Sequence, residues 1–159
     1  MSTRRLFGTG MAIALASVIV VSITSEIGLA TDPVNATSEL IAQGQVPYAR
    51  DIHARKGTDV VVAKNTFDPG GSSGWHSHPG PVVGIVQTGE LTLYREPVGG
   101  GDCRVRTFEA GHVFFERPAY MYNGVNTGTV TTVAGVTYFD VPHGGSARID
   151  RPDPGDCPA

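Results

Sequence analysis

Between residues 58 and 141 the chain alternates short runs of Val, Thr, Tyr and Phe with clusters of Gly, Pro, Asn and Asp, and this cadence limits its fold most. The runs are Thr58 to Phe67 (TDVVVAKNTF), Pro81 to Gln87 (PVVGIVQ), LTLYRE from Leu91, CRVRTF from Cys103, HVFFE from His112, and Thr129 to Val141. They recur about every 8–12 residues, the spacing of an all-β sandwich or barrel. The chain holds 21 glycines and 11 prolines, enough to punctuate every run with a turn. No segment of this region keeps a 3.6-residue apolar period with caps, so long helices are not expected.

The N-terminal stretch reads differently. Arg4 and Arg5 precede an apolar segment from Met11 to Ile23, and a small-residue exit, Gly28-Leu29-Ala30, follows it. That order predicts an export signal over residues 1–30, cleaved near Ala30, with an uncleaved membrane anchor as the alternative. Arg4-Arg5 with Phe7 also fits a short twin-arginine pattern. Residues 31–46 are expected to be a linker, 47–146 the barrel, and 147–159, rich in proline, a tail that cannot be a central strand. Export places Cys103 and Cys157 in an oxidising compartment, where they are expected to pair and pin the tail. A net charge of −3 without a basic run gives no footprint for nucleic acid, and membrane contact is expected only through an uncleaved N-terminal segment.

His76 and His78 stand in GGSSGWHSHPGPVV. Side chains at i and i+2 of extended chain share a face, so both imidazoles would project together, with Trp75 and Ser77 facing away. Two ring nitrogens supply two ligands for a divalent transition metal, and alone are too few to hold it well.

The surrounding spacing resembles the cupin superfamily. Gly70, His76, His78 and Gly89 fall in register with its first motif, and Gly111 to Asn126 has the span of its second. The resemblance implies a double-stranded β-helix, a jelly-roll barrel with a site in its mouth. It also exposes departures. The position of the family glutamate falls on Val82, that of the second-motif histidine on Tyr122, and the Pro-x-Gly becomes Arg117, Pro118 and Ala119. Of the usual four ligands, His76 and His78 remain. Tyr122, whose phenol has an ordinary pKa near about 10, is expected across the barrel from His76 as a hydrogen-bonding or packing residue, with a third-ligand role as the alternative. Val82 and Tyr122 are expected to wall the pocket. Glu116 is expected at the strand end, paired with Arg117, and His53, His112 and His143 at the surface.

These features support an exported cupin-type protein binding a small molecule in its barrel, either with His76, His78 and Tyr122 as polar groups of a metal-free pocket or with a divalent metal (iron, manganese, zinc, copper or nickel) on His76 and His78. One alternative is a metal-dependent enzyme of oxygenase or isomerase type. Another is a structural or interaction module without a ligand. A homodimer is compatible with each, and the step from fold to activity is analogy.

Overall fold

The computed structural model describes residues 40–48, 50–99, 101–155 and 157, all within the second of two units of the chain, 38–159. The expected signal or anchor and most of the linker lie outside the described residues. Among the described residues there are nine strands and no helix: β1 (Thr58–Phe67), β2 (His76–Ser77), β3 (Val82–Thr88), β4 (Glu90–Arg95), β5 (Arg104–Glu109), β6 (Val113–Glu116), β7 (Tyr122–Val125), β8 (Thr132–Pro142) and β9 (Ile149–Asp150). They pair antiparallel in two sheets, β1-β8-β3-β6 and β5-β4-β7-β2-β9. No helix among the described residues is long and apolar enough to cross a membrane.

Alternation sets which face is inside. Val82, Gly84 and Val86 of β3, and Thr132, Ala134 and Val136 of β8, are buried while their neighbours are partly exposed. A slip of one residue would turn every one of these side chains outward, so the buried face fixes the register. The sheets meet through Val82, Val86, Phe114, Ala134 and Val136 on one side and Leu91, Leu93 and Phe108 on the other. The Phe108 and Phe114 rings touch across the gap, with centroids 5.8 Å apart.

Six strands lie where the composition places them. Three do not stand out in the sequence. β2 and β9 have two residues each, and β7 (YNGV) contains an Asn-Gly pair that reads locally as a turn. Gly124 serves packing here, since a Cβ would meet Leu93 at 3.3 Å and Leu91 at 3.5 Å. At the β3–β4 turn, Gly89 has φ +71°, and the Thr132 hydroxyl donates to the Glu90 carbonyl at 2.6 Å to hold it. Asn126 is fully buried. Its amide donates to the carbonyls of Phe67 (3.0 Å) and Val130 (2.8 Å), and its oxygen accepts the Gly128 N–H (3.0 Å).

Two peripheral segments close the barrel. Gln45 pairs with the turn after β5, its N–H donating to the Gly111 carbonyl at 2.9 Å. The C-terminal tail returns through β9, which pairs Asp150 with His76 and Ile149 with Ser77. The Cys103–Cys157 disulfide then ties it to the start of β5. This bond spans 54 residues, and in the loop-closure picture a ring of that size contributes about 4 kcal/mol. Replacing both cysteines by serine is expected to lower stability by that order. The check is the thermal midpoint with and without reductant; an unchanged midpoint would show that packing alone holds the tail.

Candidate metal site

β2 is short because Gly74 and Pro79 bracket it, yet it is sealed on both edges. His76 is paired with Tyr122 of β7 on one side and Asp150 of β9 on the other. Ser77, which sequence alone sends outward, is also fully buried, because the returning tail covers that face and Arg151 Nε donates to its hydroxyl at 2.9 Å. The His76 and His78 rings are buried side by side, with centroids 4.7 Å apart and planes at 87°.

Each ring is oriented from behind by a carbonyl. His76 Nδ1 lies 2.8 Å from the Gly74 oxygen, and His78 Nδ1 lies 2.6 Å from the Ala147 oxygen. A carbonyl only accepts, so both Nδ1 atoms carry the proton and both Nε2 atoms face the interior. Burial holds the His76 imidazole below its usual pKa, opposed by its bond to Gly74 and by the charge of Glu116, and favours the neutral ring a metal needs.

The third group is Glu116. Its carboxylate lies within 4.8 Å of the ligand atoms of His76 and His78, and Oε2 is 2.8 Å from His78 Nε2. The side chain is buried and faces away from Arg117, so the ion pair expected with that arginine does not form. Glu116 comes in by register. β3 and β6 pair Val82 with Glu116 directly, so the two side chains share the inner face. The carboxylate missing at residue 82 is supplied by the adjacent strand, and Val82, 1% exposed, packs in the core beside it. The sequence carried one signal for this: Phe114 and Glu116 share a phase in VFFE, and Phe114 is an obvious core residue.

Oε2 of Glu116 is buried and makes no hydrogen bond, although a ring nitrogen is close to it. The three ligand atoms converge on common space. Two imidazole nitrogens and one carboxylate are a donor set for a first-row divalent metal, so these residues fit one. The space between them, bounded also by Val82, Leu91 and Phe114, is about 30 Å³. That is the scale of one ion or water. A larger cavity of about 500 Å³ opens beside it, reaching His76, His78, Asn65, Tyr138, Lys64 and Arg148.

Tyr122 is not opposite His76. It is its partner on the neighbouring strand of the same sheet, because β7 inserts between β4 and β2. Its hydroxyl accepts the Arg117 N–H at 3.0 Å, and burial pushes its phenol above the ordinary pKa, which favours the neutral form over a phenolate ligand. Tyr138 packs against the imidazoles: its ring lies 5.2 Å from that of His78, and its hydroxyl accepts from Asn65 Nδ2 at 3.0 Å. Neither Tyr138 nor Asn65 stands out in the sequence. Ala119, where the motif has glycine, keeps φ +66° and donates its N–H to the His78 carbonyl at 3.0 Å. His112 and His143 are exposed, the latter 2.9 Å from Asp59, and His53 is exposed as well.

No family model matches the chain, and no curated protein matches it. Solved structures do. A point mutant of Bacillus subtilis oxalate decarboxylase is 21% identical with TM-score 0.51, over 58% of this chain and 24% of that one. An oxalate oxidase is 28% identical with TM-score 0.47, over 52% and 42%. A cupin 2 conserved barrel domain protein from Salinispora arenicola CNS-205 is 24% identical with TM-score 0.44, over 53% and 66%. The chain thus spans less than half the length of the first two. The barrel has the cupin fold, with a His–His–carboxylate cluster inside it. The likeness extends to the fold and leaves the activity to be argued from the site.

Proposed function

We propose that this is an exported metal-binding cupin-type protein in which His76, His78 and Glu116 hold one divalent transition metal and the adjoining mouth admits a small-molecule ligand. The observation that carries this reading is the buried Glu116 Oε2, which has no hydrogen bond and converges with the two imidazole nitrogens. Two imidazole nitrogens and one carboxylate suit iron(II) or manganese(II) and leave open positions for water or a ligand oxygen. Such a metal would supply Lewis acidity to a group bound beside it.

The chain's own residues define what reaches that position. The mouth is apolar at Val61, Ala63 and Phe67, and polar at Asn65, Tyr138, Lys64 and Arg148, which suits a small oxygen-rich molecule, particularly an anion. Asn65 orients the Tyr138 hydroxyl, leaving its proton free to donate into the cavity. Open positions also permit catalysis of an oxygenase or isomerase kind. Export is supported by the N-terminal pattern and by the Cys103–Cys157 pair.

Elemental analysis of the dialysed, disulfide-intact protein tests the reading. About one metal per chain is expected for a single cluster. The His76→Ala, His78→Ala double variant is expected to hold none while remaining folded by circular dichroism. Equal metal content in the two proteins, or none in either after incubation with iron(II) and manganese(II), would overturn it.

A further inference from the structure

A second cavity, of about 420 Å³, lies at the end of the barrel formed by β4, β5 and the turn after β6. Five of the chain's 12 lysines and arginines line it: Arg50, Arg95, Arg104, Arg106 and Arg117. Among the described residues, no aspartate or glutamate does. They come from distant stretches, so no basic run marks them in the sequence.

Register explains their convergence. β4 and β5 pair Leu91 with Phe108, Leu93 with Arg106, and Arg95 with Arg104. Directly opposed residues share a face, so the apolar inner face of Leu91, Leu93 and Phe108 continues into three arginines at its end. Arg95 is also the register partner of Tyr122, which lines the same cavity. Like charges directly opposed across a ladder are destabilising. Here a guanidinium pair, Arg95 and Arg104, is held in that arrangement.

Among the described residues, no carboxylate relieves it. Among the described residues, Arg95, Arg104, Arg106 and Arg117 form no ion pair, and Arg95 Nε is buried with no hydrogen-bond partner. Aromatic rings position the charges instead. Arg106 lies 4.9 Å from the Tyr48 ring centroid, and Arg95 lies 5.2 Å from that of Tyr120. Such stacking orients a guanidinium plane and leaves its N–H edge available for an oxyanion. An inward charge on an edge strand can also serve to prevent strand addition. That purpose needs one charge, and explains neither the opposed pair nor the buried, unpartnered Nε.

We propose that this cavity binds a small molecule carrying two or more carboxylate or phosphate groups, held by bidentate contacts from Arg95, Arg104, Arg106 and Arg117. Guanidinium forks match both oxyanions, and such charge-assisted bonds are roughly twice as strong as neutral ones. The site is separate from the His–His–Glu cluster and does not depend on a metal there.

Titration calorimetry of the full chain with benzene-1,3,5-tricarboxylate, and separately with inorganic phosphate, tests the proposal. Saturable binding of at least one probe is expected, weakening as salt rises, with benzoate much weaker. Arg104→Gln, at an exposed position, is expected to reduce affinity roughly 10-fold, and with Arg95→Gln roughly 100-fold. Lys64→Gln, at the other mouth, leaves it unchanged. The His76→Ala, His78→Ala variant also keeps the affinity, which separates this site from the metal. The proposal is overturned if neither probe saturates, if Arg104→Gln binds as tightly as the parent, or if the histidine variant loses the anion.

Discussion

Glu116→Gln is expected to lower metal affinity by at least about 100-fold while leaving the metal-free protein as stable as the parent or more so. Glutamine keeps the size and shape of glutamate and removes its charge. Loss of a partner that merely orients a ligand costs roughly 10–100-fold in metal affinity, and loss of a ligand should cost no less. The stability arm follows from burial. In the metal-free protein the carboxylate is desolvated and its Oε2 has no hydrogen bond, so neutralising it removes a cost. A structural ion pair between Glu116 and His78 behaves in the opposite way. Removing one member of a buried pair typically costs about 3–5 kcal/mol. Thermal melts of the metal-free proteins, beside a manganese titration, read both arms. A large drop in the midpoint with unchanged metal affinity would assign Glu116 to structure.

Gly80→Ala is expected to cost about 3 kcal/mol, roughly 10 °C in Tm for a chain of this size. Gly80 is buried in the link from His78 to β3, and that link runs directly over the end of β8. A Cβ at Gly80 would collide with the Phe139 carbonyl and approach Asp140 Cβ to 2.6 Å. Backbone cannot swing aside as a side-chain tip can, so the link or the strand must move. Gly144→Ala is the control. Gly144 has φ +68° and open space around it, so alanine there carries only left-handed backbone strain, about 1–2 kcal/mol. Gly80→Ala is also expected to weaken metal binding, because the displaced link begins at His78. Equal melting of the two variants would show that the close approach is not limiting.

The strands were legible where alternation was long. β1, β3 and β8 carry enough inward positions to announce themselves, and the paired cysteines needed only a compartment argument. β7 was hidden by its Asn-Gly pair, whose strand conformation is imposed by packing against Leu91 and Leu93. β2 and β9 are too short for any periodicity and exist because of their neighbours, β2 between β7 and β9 and β9 against β2. The site was half legible. His76 and His78 declare a shared face through their spacing, whereas Glu116 enters through a pairing of strands that nothing local specifies.

By itself the sequence determined an all-strand chain, an inward pair of imidazoles and a tail fastened by a disulfide, since these follow from spacing within a few residues or from residue type. Tertiary structure alone decided which carboxylate joins the histidines, that Tyr122 neighbours His76 within one sheet, and that scattered arginines gather at one end. The physical reason is register. Hydrogen bonding between strands brings residues dozens of positions apart to within a few ångströms, and that alignment is chosen by burial of the whole barrel, not by any one motif.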